Sequence, residues 1–575
     1  MKGLNKNAKE VSNQHYVIRH VFVLTVIIIL FTGLVARAAY LQTYEQNFLV
    51  DQGDQRQIRQ IETLSQRGSI LDRNGEVLAV SSPVDSVWVV PAQLLSEPGR
   101  VKEIAKRLNI NEQNLLHKLQ RKASSQFVYL QRKLEPEKAK AVIAGIKGAY
   151  LQREYHRFYP DSEIVGHVTG ITNIDDKGQE GLEYLFDDWM QAKKGSRLVL
   201  QNRMGEVIEE VKNVQQAVAG KSLQTSIDMR LQYIAYRSLK AAVQKYKATS
   251  ASAILIKAKT GEILAMVNQP SYNPNDRGSM KSSHLRNRAI TDMFEPGSTM
   301  KPFAVAAALD HKIYHADSWL NTSPGWMSVN SQAVKDFKDY GRLDITGILR
   351  KSSNVGAAKI ALSLKSERLW TAYSDYGFGQ PTGVEYPGEA SGYLSHHSQW
   401  KDFDLVTKAF GYGMASSAAQ LARAYTVLAN DGKLVDLSLL KLDELPQGQQ
   451  VMSANTAKVV REMLESVVKP GGTAKQAAIT GYKVAGKTGT VKVSNSGGYS
   501  DDRYIAVFAG MAPASNPELV LVVSVNEPSA GVFYGGAVAA PTFAKIMSNS
   551  LRILNVTPDD IKLQQATLNT KEMDS

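Results

Sequence analysis

The sequence predicts an α+β protein of several domains, preceded by one apolar segment near the N-terminus. A chain of 575 residues divides into two to four domains at about 150 residues each. Its hydrophobic content of 43% with 21% charged residues is typical of a globular protein with packed cores. In the C-terminal half, strand-like segments flank a mostly helical stretch. That order predicts a sheet assembled from distant segments, with helices around it.

The composition excludes several classes of function. The chain has no cysteine, which excludes disulfides, thiolate metal sites and cysteine nucleophiles. No His-Glu-x-x-His or comparable ligand spacing occurs, so we expect no metal site. The net charge of +13 is spread along the chain without a nucleic-acid-binding signature, so nucleic acid is not an expected partner. A basic protein that works near anionic lipid is the simpler interpretation.

The apolar segment predicts a transmembrane anchor over residues 20–41. Residues 20–36 carry no Asp, Glu, Lys or Arg and are flanked by Arg19 and Arg37. Because a span needs about 20 residues, the helix must extend to Leu41, with the aliphatic stem of Arg37 crossing apolar lipid.

A cleaved secretory signal is the alternative, because Ala36-Arg37-Ala38 fits a small-x-small cleavage site. If the anchor is retained, the basic residues before it place residues 1–19 in the cytoplasm and the remainder outside it. These basic residues are Lys2, Lys6, Lys9 and Arg19.

Local patterns predict the elements after the anchor. Residues 42–66 are polar and predict a helical or extended stalk. Asn74-Gly75 between apolar pairs predicts a hairpin, and residues 101–148, rich in Lys, Leu and Ala, predict helices. Residues 229–245 predict an amphipathic helix, and the polar residues 557–575 predict a loose tail. Strands are predicted at 223–228, 253–256, 262–267, 504–511 and 519–525.

Ser298 and Lys301 form the first candidate catalytic pair. Their spacing places both side chains on one face of a helix, and Pro302, tolerated in a first turn, puts Ser298 at the helix N-terminus. The backbone N–H groups there favour an anionic oxygen. A serine hydroxyl attacks when a base removes its proton, and a lysine is a base only when its amine is neutral. Burial beside a second cation, for which Lys487 is the candidate, favours the neutral amine.

The same Ser-x-x-Lys spacing occurs at Ser398, Ser438 and Ser466. These serines lack the glycine turn and the apolar helix that surround Ser298. We interpret each of them as a capping serine followed by a surface lysine.

Ser352-Ser353-Asn354 is the second candidate motif and lies between two helical stretches. Its hydroxyl and amide groups can relay a proton and hold a substrate carbonyl. Taken alone, the motif is more often a helix-capping turn, so the functional interpretation depends on the other motifs.

Lys487-Thr488-Gly489-Thr490 is the third candidate motif and sits on an extended strand. A strand edge can pair with an extended peptide substrate, and Gly489 permits close approach. Lys487, Thr488 and Thr490 can hold a terminal carboxylate through charge and hydroxyl contacts.

With these motifs in this order, the chain resembles the class B penicillin-binding proteins. It is most similar to the division-specific peptidoglycan D,D-transpeptidases of the FtsI type. The resemblance covers nearly the whole chain after the anchor and is less specific for the division subtype than for the family. Besides the catalytic motifs it rests on the strings at 67–75, 178–183, 287–298, 410–413 and 471–474.

The resemblance implies a noncatalytic α/β pedestal over 42–220 and a transpeptidase domain over 221–556, with the penicillin-recognising serine-enzyme fold of an antiparallel sheet flanked by helices. By motif position, each site residue has an implied role. Ser298 would be the acylated nucleophile, Lys301 its base, Ser352 the proton relay to the departing D-alanine, and Asn354 the residue that positions the peptide. Lys487, Thr488 and Thr490 would grip the donor, and the backbone amides of Ser298 and Thr490 would form the oxyanion hole.

The resemblance further implies the substrates and the setting. Donor and acceptor stem peptides of the septal wall would be cross-linked with release of D-alanine, and β-lactams would acylate Ser298. No cofactor is implied. The implied partners are an FtsW-type lipid II polymerase and other division proteins. The implied location is the bacterial inner membrane at the division septum, with the catalytic domain in the periplasm.

Three alternatives remain open at the sequence level. An elongation-specific class B transpeptidase carries the same motifs. A β-lactamase or carboxypeptidase would use water as the acceptor, but the Glu-x-x-Leu-Asn string of class A β-lactamases does not occur. A catalytically silent scaffold would need neither Lys301 nor Thr490.

Overall fold

The structure, a computed structural model, describes residues 4–201, 207–495 and 498–560. Most of the predicted tail, residues 561–575, lies outside the described residues. The helices α1 to α20, in chain order, are Leu4–Thr43, Gln46–Gln57, Pro91–Leu95, Pro98–Leu108, Glu112–Arg121, Pro136–Ile143, Gly166–Thr169, Gly181–Leu185, Asp187–Met190, Met229–Tyr246, Ser282–Leu285, Arg288–Thr291, Lys301–Asp310, Ile345–Lys351, Asn354–Leu364, Ser366–Asp375, Asp402–Ala409, Ala418–Ala429, Ala454–Val468 and Gly535–Ile553.

The strands β1 to β19, in chain order, are Ile58–Thr63, Ile70–Leu71, Val77–Val89, Val128–Leu134, Ala149–Phe158, Gly195–Gln201, Val207–Gln215, Leu223–Gln224, Ser250–Lys257, Ile263–Gln269, Trp319–Asn321, Trp326–Val329, Gln332–Lys335, Arg342–Asp344, Lys433–Leu434, Gln449–Gln450, Ala485–Asn495, Gly498–Ala512 and Leu519–Asn526.

Helix α1 contains the predicted anchor. Its stretch Tyr16–Thr43 is 28 residues long and includes an 18-residue window with a mean hydropathy of 2.5. Its apolar side chains, such as Phe22, Ile29 and Leu34, are exposed. A helix of this length rises about 42 Å, which exceeds the ~30 Å hydrocarbon core of a bilayer. The helix therefore fits a single-pass membrane protein.

The described chain forms two compact units. One unit comprises residues 1–65 and 193–218 and contains a three-stranded antiparallel sheet in the order β1-β6-β7. The other comprises residues 66–192 and 219–575. The predicted pedestal, residues 42–220, contributes segments to both units, so its boundaries stay a prediction.

In the second unit, the predicted Asn74-Gly75 hairpin is confirmed. Strands β2 and β3 pair in antiparallel fashion, and Gly75 has a φ of +90°, which a glycine adopts without steric cost. Strand β3 also pairs with β4 and β5. The prediction of helices throughout 101–148 is wrong at β4, because pairing with β3 holds that segment extended between α5 and α6.

A five-stranded antiparallel sheet in the order β10-β9-β19-β18-β17 forms the centre of the C-terminal part. Every residue of β19 except Asn526 is buried. Since successive side chains on a strand point to opposite faces, both faces of the sheet are covered. Helices α10 and α20 contact each other and the sheet, and so do α18 and α19.

This arrangement confirms the predicted α+β class. The predicted strands at 253–256, 262–267, 504–511 and 519–525 lie within β9, β10, β18 and β19, and the predicted helix at 229–245 is α10. The predicted strand at 223–228 is shorter than expected: β8 covers only Leu223–Gln224, which pairs with β2.

Candidate active site

Ser298 lies in a tight turn just before helix α13. The turn, Gly297–Met300, is a 3-10 helix, and the α-helix begins at Lys301 with Pro302 in its first turn. The predicted position of Ser298 at a helix start is therefore confirmed, with a 3-10 turn in place of the first α-helical turn. Ser298 is half-buried and lines a cavity of about 580 Å³.

Two glycines allow this turn to pack tightly. Gly297 has a φ of +59° and its N–H donates to the carbonyl of Gly411 at 3.0 Å. A Cβ at Gly411 would stand 2.2 Å from the carbonyl oxygen of Gly297. Tyr425 donates its hydroxyl proton to the carbonyl of Thr299 at 2.9 Å. The Phe410-Gly411-Tyr412-Gly413 string thus supports the backbone of the Ser298 turn.

Ser352 joins helix α14 to helix α15, with a φ of +59° that side-chain-bearing residues rarely adopt. Its neighbour Ser353 caps α15 by accepting the N–H of Gly356 at 2.9 Å. The motif is therefore a capping turn, and it also places the side chains of Ser352 and Asn354 in the lining of the cavity.

Lys301 is completely buried and points toward this turn. Its Nζ donates to the Ser352 carbonyl at 2.6 Å, to Ser352 Oγ at 3.1 Å and to Asn354 Oδ1 at 2.7 Å. Within the described chain, no hydrogen bond joins Lys301 Nζ to Ser298 Oγ. The two motifs predicted to act together are thus in direct contact through the lysine.

The third motif lies on β17, at the edge of the five-stranded sheet, as predicted. Lys487 is buried, and its Nζ donates to Ser352 Oγ at 3.0 Å. Thr488 and Thr490 line the cavity. A Cβ at Gly489 would stand 3.1 Å from the Pro296 carbonyl oxygen, so this glycine also brings β17 close to the Ser298 turn.

Ser352 Oγ therefore accepts a hydrogen bond from each of two buried amines. Burial, and then the charge of Lys487, hold the pKa of Lys301 well below its usual range, while Asp336 opposes that change. Burial lowers the pKa of Lys487 to about 7. Because burial and a neighbouring cation both disfavour the ammonium form, the site favours a neutral Lys301 amine at neutral pH.

Comparison with known proteins agrees with this site. Residues 251–548 match the penicillin-binding protein transpeptidase domain, and residues 62–225 match the penicillin-binding protein dimerisation domain. The chain belongs to the penicillin-binding protein transpeptidase family. Its match to the probable peptidoglycan D,D-transpeptidase PbpC of Pseudomonas aeruginosa is 42% identical and covers 96% of this chain and 98% of the relative.

Two further similarities cover most of this penicillin-binding protein. The peptidoglycan D,D-transpeptidase FtsI of Escherichia coli K12 is 41% identical over 92% of this chain and 90% of its own. A solved structure of penicillin-binding protein 3 from Mycobacterium tuberculosis, complexed with aztreonam, is 27% identical with a TM-score of 0.68, and covers 87% of this chain and 98% of that one.

The structure separates Ser298 from the other serines with the same spacing. Ser398 lies in the 3-10 turn His397–Gln399, Ser438 donates to the carbonyl of Leu440, and Ser466 lies within helix α19. Among the described residues, none of these three serines lines the cavity.

Sequence reasoning assigned no role to several cavity residues of this penicillin-binding protein. Thr473 shares a hydrogen bond of 2.9 Å with Thr488 between their hydroxyls, and its Gly471-Gly472-Thr473-Ala474 string carried the only sequence signal. Asp336 faces Lys301 from the end of β13, and no motif surrounds it. In the described ranges, no group of three or more His, Cys, Asp or Glu residues is placed to hold a metal ion. Further lining residues are Phe337, Tyr340, Lys351, Lys475, Gln476 and Tyr534.

Proposed function

We propose that this protein is a peptidoglycan D,D-transpeptidase that works through an acyl-enzyme on Ser298. One observation carries the proposal: the buried Lys301 amine contacts Ser352 and Asn354, which line the same cavity as Ser298. A buried lysine beside a second cation is costly to keep, and activation of a nucleophile is a chemical reason to keep it.

In the acylation step, neutral Lys301 takes the proton of the Ser298 hydroxyl. The serine oxygen attacks the carbonyl carbon between the two terminal D-alanines of the donor peptide and forms an ester. The backbone N–H groups of Ser298 and Thr490 stabilise the negative charge on the carbonyl oxygen. The peptide bond breaks, and Ser352, which hydrogen-bonds both lysines, passes a proton to the departing D-alanine.

In the second step, an amine of a neighbouring stem peptide attacks the ester, and Ser298 regains its proton. Asn354 positions the peptide. In the first step, before D-alanine departs, Lys487, Thr488 and Thr490 bind the terminal carboxylate of the donor through charge and hydroxyl contacts. Gly489 keeps the strand open to the peptide backbone. A β-lactam would enter the same acylation step, in which ring opening leaves a stable ester on Ser298. The M. tuberculosis relative is recorded with aztreonam.

The proposed setting is the periplasmic face of the bacterial inner membrane at the division septum. The basic residues before α1 support a cytoplasmic N-terminus, and the E. coli relative is named FtsI. The proposed partners are an FtsW-type lipid II polymerase and other division proteins. The names of the relatives PbpC and PenA specify no cellular role beyond peptidoglycan D,D-transpeptidase, so an elongation role is the second candidate. A fluorescent fusion at midcell would support division, and one along the side wall would support elongation.

Labelling with a fluorescent penicillin tests the proposed chemistry. Purified full-length protein in detergent should be labelled at Ser298, and Ser298→Ala should abolish labelling while its unfolding curve stays that of the wild type. Tryptic mapping of the adduct identifies the serine. Labelling that persists in Ser298→Ala, or an unlabelled folded wild type, would contradict the proposal and favour the silent scaffold.

A further inference from the structure

The residue that follows strand β13 binds the start of helix α15. The carboxylate of Asp336 accepts the Ser353 hydroxyl proton at 2.6 Å, the Val355 N–H at 3.0 Å and the Asn354 N–H. The first N–H groups of a helix have no partner within the helix, so an anionic cap there is stabilising. Asp336 thus holds the backbone of the Ser352–Asn354 turn from outside the motif.

The residue before it fixes the orientation of the Asn354 amide. The Nδ2 group of Asn354 donates to the carbonyl of Lys335 at 2.9 Å. An amide that donates there must present its oxygen on the other side, where Oδ1 accepts from Lys301 Nζ at 2.7 Å. The end of β13 therefore controls both the main chain and the side chain of Asn354.

Asp336 also supplies charge. The acidic group that acts on Lys301 is Asp336, which opposes the effect of Lys487. Lys487 on β17 and Asp336 after β13 therefore act on Lys301 with opposite sign, while the other titratable residues of the cavity, Tyr340, Lys351, Lys475 and Tyr534, line its wall. Asp336 does not form an ion pair with either buried lysine in the described chain. Its charge acts on Lys301 through space.

We propose that Asp336 is a positioning residue for acylation, which holds the Ser352–Asn354 turn against Lys301 and offsets part of the positive charge around that lysine. This inference rests on the proposed acyl transfer by Ser298. It assigns a role to a residue outside the three motifs. It also gives a role to the segment after the β12–β13 hairpin, which brings a carboxylate to the proton-relay turn.

Asp336→Asn removes the charge of the side chain but keeps its size and one of its oxygen acceptors. The amide oxygen can still accept the N–H groups of Asn354 and Val355, but the negative charge is lost. Lys301 would then lose its proton at lower pH. The acid limb of the pH–rate profile for penicillin acylation, where the rate rises with pH, should therefore move to lower pH. We expect the acid side of the pH–rate profile to move by about half a pH unit or more. At a fixed pH on that side, the variant should therefore be acylated about threefold faster than the wild type, or more.

Two further variants make the result decisive. Asp339→Asn is the matched control, because Asp339 lies in the same segment after β13, three residues beyond Asp336, and accepts hydrogen bonds from Ser323 Oγ and the Gly341 N–H instead of from the motif. It should leave the limb in place. Asp336→Glu keeps the charge and should lower the maximal rate without moving the limb.

The outcomes separate this inference from the proposed function. An unlabelled wild type overturns both. A labelled wild type with an unmoved limb in Asp336→Asn overturns only the inference. An equal displacement of the acid limb in Asp339→Asn also overturns only the inference, because the effect would then come from surface charge in general. Urea unfolding of each variant identifies any loss of rate that comes from unfolded protein.

Discussion

The protein buries basic side chains in two places. In one they are paired with a carboxylate, and in the other they are not. Within the dimerisation segment, Arg67 and Arg157 share the carboxylate of Glu183, at 2.8 and 2.5 Å, and all three side chains are at most 2% exposed. In the active site, Lys301 and Lys487 share only a hydroxyl, Ser352 Oγ. Neither lysine forms an ion pair in the described ranges.

The difference separates stability from chemistry. In the arginine cluster, further bonds from Arg67 to Asp187 and from Arg157 to the Gly68 carbonyl satisfy the remaining donors. A fully paired buried charge keeps its proton and holds chain segments together. An unpaired buried amine gives up its proton instead, which is useful only where a base is needed. The arginine cluster joins two of the strings that carry the family resemblance, the one at Arg67 and the one at Glu183.

Removing the amine at the active site is expected to have the largest effect. Lys301→Met keeps the length of the side chain but removes the base, so the acylation rate should fall by about 10² to 10⁴-fold. The free energy of unfolding should change by no more than about 1 kcal/mol, because an apolar side chain fits the buried position and water can reach Ser352. Stopped-flow labelling and urea unfolding measure the two quantities. Normal acylation would mean that another group is the base.

Breaking the arginine cluster is expected to reverse this pattern. Glu183→Gln leaves two buried guanidinium groups without their shared carboxylate, which should cost about 3 to 5 kcal/mol of unfolding free energy. The acylation rate of the folded fraction should stay within about twofold of the wild type, because no residue of the cluster lines the active-site cavity as described.

Glu103→Gln is the matched control for the cluster. Glu103 forms an exposed i,i+4 pair with Arg107 at 2.9 Å, and such pairs contribute about 0.5 kcal/mol or less. If both variants lose the same stability, burial does not distinguish the two ion pairs, and the comparison fails.

The sequence predicted the reacting groups better than their surroundings. Ser298, Lys301, Ser352 and Lys487 stand in short motifs whose residue types are set by chemistry. The structure places Ser298 and Ser352 in the lining of one cavity, with both lysines bonded to Ser352. Asp336 stands in no motif. It reaches Ser353 only because the β12–β13 hairpin folds back against helix α15, a contact between residues 17 positions apart that no local pattern records.

The fold shows the same contrast. Strands β9, β18 and β19 contain long apolar runs, and a run of that kind predicts a buried strand by itself. Strand β4 mixes Tyr, Gln, Arg and Lys with its apolar residues, and its extended form depends on pairing with β3. Tertiary pairing of this kind overrides local propensity.

The most direct test of the central claim is the pH dependence of acylation in Lys487→Gln. The claim is that burial, together with the charge of a second buried lysine, keeps the Lys301 amine neutral. The substituted amide would keep a donor for Ser352 but remove the positive charge, so the pKa of Lys301 should rise. The acid limb of the acylation rate should then move to higher pH, opposite in sign to Asp336→Asn. A limb that stays in place, or moves to lower pH, would contradict the account.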